Sequence, residues 1–193
     1  MVEAYWEVPG GESTATNGQW VKGPGAEPFS VVQSELGELP IIAENLGVIT
    51  PEVEAIRNQF NYPGMAILQF AFGETIRRDQ ASVRTTMNVI SLPTGTRTTT
   101  TPTAGWWSSK GAGDSIRTAD DVLKEHAFAR SYLGLKDGEI HWASIRAILA
   151  SVANTAIIPL QDVLGLGSKA RMNLPGTSSG NWRWRARPGR TNR

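Results

Sequence analysis

Residues 39–53 contain the pattern that most restricts how this chain can fold. Residues 39–43 are mainly apolar and lead directly into the carboxylate of Glu44. Such an apolar run is typical of a strand buried in a parallel sheet. The pair Thr50 and Pro51 then predicts the start of a helix, because Thr is a preferred cap and Pro fits the first helical position. A strand, a carboxylate and a helix in this order predict an acid at the C-terminal edge of an α/β sheet or barrel.

The rest of the chain continues to alternate between helical and strand patterns. Helices are expected over residues 51–60, 120–133 and 140–153, and strands over residues 39–43, 65–72 and 156–160. Gly134 is the expected stop of the second helix. The Gly- and Pro-rich residues 9–28 are expected to form a loop or an inserted excursion. The alternation predicts a parallel α/β sheet.

Composition restricts the class of protein. The chain has 193 residues, whereas a complete α/β barrel usually needs about 250, so we expect a partial barrel. The net charge is +1, which gives no electrostatic reason to expect nucleic acid or a membrane as partner. There are no cysteines, which excludes disulfides and thiolate metal sites. The first residues lack the basic start and apolar core of a secretory signal.

Several long motifs carry a resemblance to one family. They are A-Y-W-E-V-P at residues 4–9, L-P-I-I-A-E-N-L-G-V-I-T-P-E-V at 39–53, P-G-M-A-I-L-Q-F-A-F-G at 63–73, A-R-M-N-L-P-G at 170–176 and G-N-W-R-W-R at 180–185. In this order they resemble the C-terminal part of 4-alpha-glucanotransferases, also called amylomaltases or disproportionating enzymes. The resemblance covers almost the whole chain except roughly residues 74–102.

The resemblance implies a fold and an activity. The fold would be α/β, the second half of a (β/α)8 TIM-type glycosidase barrel, with residues 1–193 as one partial catalytic barrel domain. The activity would be transfer of an α-1,4-glucan segment to the 4-hydroxyl of a glucose or maltooligosaccharide acceptor, by retaining double displacement. It implies no cofactor and no metal, with α-1,4-glucans and maltooligosaccharides as partners. A cytoplasmic location is expected, or a plastid if the chain comes from a plant.

The resemblance also implies roles for individual residues. Glu44 matches the acid/base of the family's A-E-D-L-G motif, although Asn45 replaces the usual Asp. Asn173, with the turn at Pro175 and Gly176, matches a loop that contacts sugar after the last strand. From the strand pattern alone, Phe70 and Phe72 share one face at a strand end and could line an acceptor site. Core packing is the expectation for Phe70, so Phe72 is the predicted substrate contact.

The catalytic set implied by the resemblance is incomplete in these residues. The family's nucleophile is the Asp of an R-I-D-H-F-R-G segment just before A-Y-W-E-V-P, and Glu3 does not match it. A further family carboxylate lies in G-T-H-D-N-D-T, where residues 98–102 read Thr-Thr-Thr-Thr-Pro. The codons CAC GAC AAC GAC ACC, read one base late, give that run, which predicts a local frameshift within residues 74–102. We therefore expect a truncated and inactive fragment, with residues 186–193 as a truncated tail.

Three other interpretations remain open from the sequence. The chain could be an inert gene fragment or half of a split enzyme complemented by another chain. From another class, residues 182–193 interleave tryptophans and arginines, as single-strand nucleic-acid binders do. A salt-dependent shift of RNA would favour nucleic-acid binding, and retention on amylose or maltooligosaccharide would favour the glucan interpretation.

Overall fold

The computed structural model of the protein describes residues 2–46, 49–73, 89–91, 101–109, 118–135, 139–174 and 177–187. Its contacts divide the chain into two units, Met1–Gly64 and Met65–Arg193.

The first unit begins with an antiparallel pair of strands. Strand β1 (Ala4–Glu7) pairs with β2 (Gln19–Lys22), and Trp6 lies directly opposite Trp20. Their rings meet edge to face at a centroid distance of 5.4 Å, a favourable geometry for an aromatic pair. Strand β2 and the start of helix α1 (Glu27–Leu36) fall inside residues 9–28. The sequence predicts a loop or an inserted excursion there; residues 9–18 contain no helix or strand, whereas residues 19–22 form β2.

The predicted strand and helix at residues 39–60 form to different extents. The strand is reduced to a single parallel bridge between Ala43 and Gly64, in which the amide of Ala43 donates to the carbonyl of Pro63 at 2.8 Å. Helix α2 (Pro51–Gln59) begins as predicted, because the hydroxyl of Thr50 accepts a hydrogen bond from the amide of Val53. The helix prediction is confirmed, and the strand contributes one bridge.

The second unit contains a parallel three-stranded sheet. Its strands are β3 (Met65–Ile67), β4 (Val89–Ser91) and β5 (Thr155–Ile157), in the order β3-β4-β5. The parallel pairing confirms the predicted α/β class. The predicted strand at 65–72 continues after Ile67 as a 3₁₀ helix, Leu68–Phe72. Of the segment predicted to be frameshifted, residues 74–88 and 92–100 lie outside the described residues.

Four helices lie within the described part of the second unit. They are α3 (Thr103–Ser108), α4 (Ala119–Leu133), α5 (Ile140–Leu149) and α6 (Leu160–Val163), followed by a 3₁₀ turn at Ser168–Ala170. Gly134 ends α4 with a φ of 61°, which confirms the predicted stop. Helix α5 ends before residue 150, short of the predicted 153. The predicted strand at 156–160 is cut short because Pro159 caps α6.

The hydrophobic core of the second unit lies between the first 3₁₀ helix and helices α3, α4 and α5. Its buried members are Leu68, Phe72, Trp106, Ala129, Ile140, Ile145 and Ile148. The Phe72 ring stacks on Trp106 at 5.8 Å and meets Phe128 edge to face. Among the helices in the described ranges, none combines the length and the apolar character needed to cross a membrane.

Candidate functional site

Glu44 follows the only residue of its predicted strand that pairs with another segment. Its neighbour Ala43 is fixed by the bridge to Gly64, and Glu44 itself is exposed. An exposed carboxylate at the end of a paired backbone is accessible to a solute. This placement is compatible with an acid/base, while the chemical role of Glu44 stays a prediction.

Asn45 stands where the resemblance expects an Asp, and its side chain is hydrogen-bonded to helix α2. Its Nδ2 donates to Glu54 Oε1 at 3.2 Å, and Glu54 Oε2 accepts from Arg57 Nε at 2.8 Å. The hydrogen bond from Arg57 is the main reason that the pKa of Glu54 lies below its ordinary value, and Asn45 lowers it further against partial burial. Gly64 passes so close that a Cβ there would lie 2.8 Å from Asn45 Oδ1. The residue after Glu44 is therefore fixed between a helix and a backbone segment.

Phe72 does not occupy the predicted acceptor-site position. It is 2 % exposed and packs in the core, whereas Phe70 is 39 % exposed. The prediction assumed a strand, in which alternate residues share one face, but residues 68–72 form a 3₁₀ helix. With about three residues per turn, Phe70 and Phe72 point in different directions. The expectations for these two residues are thus reversed: Phe72 is a core residue and Phe70 reaches the surface.

Asn173 is half-buried in the loop after the second 3₁₀ turn, while Pro175 and Gly176 lie outside the described residues. Asn181 closes this loop. Its Oδ1 accepts from the amide of Leu174 at 2.8 Å, and its Nδ2 donates to the carbonyl of Thr177 at 3.2 Å. One amide side chain thus joins both ends of the predicted sugar-contacting loop.

The segments that follow β3, β4 and β5 carry a group of buried and half-buried polar side chains that we call the rim cluster. It consists of Gln69, Thr101, Thr103, Asp162 and Arg171. Parallel strands end at the same edge of a sheet, so these segments meet there. Gln69 Nε2 donates to Thr103 Oγ1 at 3.1 Å, and the amide of Thr103 donates to Asp162 Oδ1 at 2.6 Å. Arg171 Nη2 donates to Thr101 Oγ1, which connects the sequence just before Asn173 to the same cluster.

Asp162 is the buried carboxyl of the rim cluster. It is fully inaccessible to solvent, and burial raises the pKa of its carboxyl, opposed by hydrogen bonds from Thr103 and by the nearby His141. Asp162 Oδ2 accepts no hydrogen bond from the described residues, and neither does Gln69 Oε1. Buried acceptors without donors are costly, so these two oxygens disfavour the folded state.

Sequence reasoning missed Gln69, Asp162 and Asn181. Gln69 interrupts the apolar run M-A-I-L-Q-F, and Asp162 follows the apolar residues of β5 and Pro159. A polar residue inside or just beyond a buried strand is the pattern that could have indicated both. Asn181 is part of the G-N-W motif, but its bonding across the loop cannot be inferred from spacing.

The C-terminal Trp/Arg segment partly bonds to itself. Arg185 Nη1 donates to the carbonyls of Trp182 and Trp184 at 2.9 and 2.8 Å. A cavity of about 440 Å³ is lined by Leu164 and by residues 183–187. Arg185 thus stabilises a local turn, which leaves fewer of its N–H groups available to bind a phosphate. Within the described ranges, no three His, Asp or Glu side chains form a group that could hold a metal ion.

Comparison with known proteins identifies relatives over nearly the full chain. A sequence profile described as 4-alpha-glucanotransferase matches residues 2–191. A 4-alpha-glucanotransferase of Synechocystis is 47 % identical over 192 residues, which is 98 % of this chain and 36 % of that protein. One from Thermus thermophilus is 44 % identical over 194 residues, covering 97 % and 36 %. This chain therefore spans about 36 % of the length of these curated relatives.

A solved structure supports the same grouping. The amylomaltase of Streptococcus agalactiae, solved in complex with acarbose, superposes with a TM-score of 0.80 at 31 % sequence identity. The superposition covers 98 % of this chain and 36 % of that one. The sequence comparison and the structural comparison thus agree: each matches this chain to about 36 % of a 4-alpha-glucanotransferase or amylomaltase.

Proposed function

Because the chain belongs to the 4-alpha-glucanotransferase family, we propose that it supplies part of an enzyme that transfers an α-1,4-glucan segment. The acceptor is the 4-hydroxyl of glucose or of a maltooligosaccharide. The observation that carries the proposal is the profile match over residues 2–191, together with the exposed Glu44 after the Ala43 bridge. The architecture we propose is the second half of a (β/α)8 barrel, of which β3, β4 and β5 are consecutive strands.

Glu44 is the acid/base of this reaction. Retaining transfer needs two carboxylates about 5 Å apart on opposite sides of the scissile bond. One attacks the anomeric carbon, and the other protonates the leaving glycosidic oxygen and then deprotonates the acceptor hydroxyl. The exposure of Glu44 allows it to reach a bound glucan, and the fixed Asn45 beside it limits how far its backbone can move.

Asn173 contacts sugar in this proposal. An Asn side chain presents one acceptor and two donor hydrogens and can bond two sugar hydroxyls at once. The loop that carries it is tied by Asn181 on one side and by Arg171 on the other. Both ties restrict the loop before ligand arrives, which reduces the entropy lost on binding.

The nucleophile comes from a segment other than these 193 residues. None of them matches R-I-D-H-F-R-G, and the chain spans about 36 % of its relatives. We propose that this chain alone binds glucan weakly and transfers little, without need of a cofactor. The proposed location is the cytoplasm, or a plastid for a plant source.

Glucan binding is tested by titrating the isotopically labelled chain with maltoheptaose and following its amide resonances. Cellohexaose is the control, because its glucose units carry the same kinds of hydroxyl but are joined by β-1,4 links that give the chain a different shape. Saturable shifts with maltoheptaose alone support the proposal. Equal shifts with both sugars, or none with either, refute glucan recognition by this chain.

A further inference from the structure

Hydrogen bonds of the rim cluster join three segments that are far apart in sequence. Gln69 follows β3, Thr103 begins α3 after β4, and Asp162 follows β5. Thr103 stands in the middle: its hydroxyl accepts from Gln69 and its amide donates to Asp162 at 2.6 Å. All three residues are buried, with exposures of 6 %, 0 % and 0 % in chain order.

We propose that Asp162 is a positioning residue, which acts through the amide of Thr103 to hold the segment entering α3 at the C-terminal edge of the sheet. The proposal goes beyond the transfer reaction, because nothing in that reaction assigns Asp162 a role. Its consequence for sugar binding rests on the proposed function, whereas the anchoring itself does not.

Helix α3 needs such an anchor for reasons of length and capping. It has only six residues, Thr103–Ser108, and its N-cap is Pro102, which provides no side-chain cap. A helix this short is not stable by itself, because nucleation is costly and few hydrogen bonds follow. The amide of Thr103 is one of the first-turn donors that lack a partner inside the helix. Asp162 provides that partner from α6, the short helix that follows β5.

The anchored segment lies where the family's third carboxylate motif is expected. Residues 98–102 occupy the place of His-Asp-Asn-Asp-Thr in the resemblance, and Thr103 follows immediately. Arg171 holds Thr101 from the other side, and Arg171 precedes Asn173 by two residues. Asp162 thus fixes Thr103, directly after the residues that match this motif in the resemblance, and Arg171 links Thr101 to the loop of Asn173.

The requirement is for an acceptor oxygen rather than for a charge. Asp162 Oδ2 and Gln69 Oε1 have no donor among the described residues, and His141 is the titratable group of the packed helix α5 that acts on Asp162. An Asn at 162 keeps the Oδ1 acceptor, and its new amide hydrogens suit a region with surplus acceptors. The conservative variant should therefore preserve the anchor.

Hydrogen exchange of the full chain, read by peptide or by residue, tests the anchor. In Asp162→Ala, the amides of residues 103–108 should exchange about 5- to 150-fold faster, the range expected when one buried amide loses its acceptor. In Asp162→Asn they should stay within about threefold of the wild type. The matched control is Asp121→Ala, because Asp121 likewise accepts from a backbone amide, that of Thr118 at 2.7 Å. That variant should affect only the start of α4.

Three outcomes overturn the proposal: no faster exchange in Asp162→Ala, equal acceleration in the Ala and Asn variants, or faster exchange of residues 103–108 in Asp121→Ala. If Asp162→Ala unfolds as a whole, α4 amides lose protection too, and Asp162→Leu replaces it. Leu fills the space without offering an acceptor to the amide of Thr103, so residues 103–108 should again exchange faster while α4 does not. Titration of Asp162→Asn and Asp162→Ala with maltoheptaose measures sugar binding separately. Hydrogen exchange needs no sugar, so it tests the anchor even if the chain binds no glucan.

Discussion

Gly105 in α3 gives the sharpest test of how tightly the second unit is packed. A Cβ at this position would lie 2.4 Å from Thr101 Cγ2, 2.6 Å from Ser168 Oγ and 2.7 Å from Ser168 N. The first two atoms belong to side chains that could rotate, but the third is backbone of the 3₁₀ turn. Gly105→Ala therefore forces α3 and Ser168–Ala170 apart. Overpacking of this kind costs about 1–3 kcal/mol, and the helix preference of Ala offsets at most about 1 kcal/mol.

We expect a net loss of up to about 3 kcal/mol in the free energy of unfolding of the second unit, which lowers its Tm by about 2–4 °C for each kcal/mol lost. Gly167→Ala is the matched control, because a Cβ there meets nothing within 4 Å. Its φ of −87° suits Ala, so it should be neutral or stabilise by up to about 1 kcal/mol. Thermal and guanidinium unfolding followed by circular dichroism measure both. If Gly105→Ala is as stable as Gly167→Ala, α3 does not pack as closely against Ser168 as these distances indicate.

Three further predictions concern Phe72, Thr50 and Asp162. Phe72→Ala should destabilise the second unit by about 3–5 kcal/mol in chemical unfolding, because Phe72 fills its core, and a loss below about 1 kcal/mol would place the ring at the surface. Thr50→Ala should reduce the helicity of α2 and cost about 1 kcal/mol, whereas Thr50→Ser should restore it. The raised pKa of Asp162 means that the folded state binds its proton more readily than the unfolded state. This group's contribution to stability should therefore increase as pH falls from above its raised pKa towards its ordinary value, and Asp162→Asn should remove that component from the pH profile of unfolding.

The Trp/Arg segment offers a test of the nucleic-acid alternative. The guanidinium of Arg185 bonds to local carbonyls, so Arg183 and Arg187 are the remaining described cations of the cavity wall. We expect no salt-dependent shift of single-stranded RNA by the chain. A shift that disappears in the Arg183→Ala/Arg187→Ala double variant would instead establish that alternative.

Helices with strong ends are the part of the fold most predictable from sequence. Thr50-Pro51 defines the start of α2, and Gly134 defines the end of α4, because capping chemistry is local. Strand lengths are overestimated at residues 65–72 and 156–160. In each case the chain leaves the sheet earlier, into a 3₁₀ helix at Leu68 and into a capped helix at Pro159. Apolar content alone does not distinguish a buried strand from a buried turn.

The candidate site is predictable only where the sequence carries a motif. Glu44 and Asn173 come from the resemblance, and both occupy accessible or half-buried positions. Phe72 is mistaken for a substrate contact because its orientation depends on a switch from strand to 3₁₀ geometry. The position of Asp162 just beyond β5 could have singled it out, but its partner, the amide of Thr103, lies 59 residues earlier and could not be inferred. Contacts at such separation depend on the tertiary fold and leave no local pattern.

The most direct test of the central claim is a transfer assay on a chimera. This chain would replace the matching part of the Synechocystis relative, with residues 98–102 changed to His-Asp-Asn-Asp-Thr. We expect the chimera to release glucose from maltotriose by disproportionation. Glu44→Gln should lower the rate by about 10²–10⁴-fold, the usual contribution of general acid/base catalysis. Glu38→Gln, an exposed carboxylate nearby, should leave it unchanged. A Glu44→Gln chimera as active as its parent would contradict the assignment of Glu44 as the acid/base.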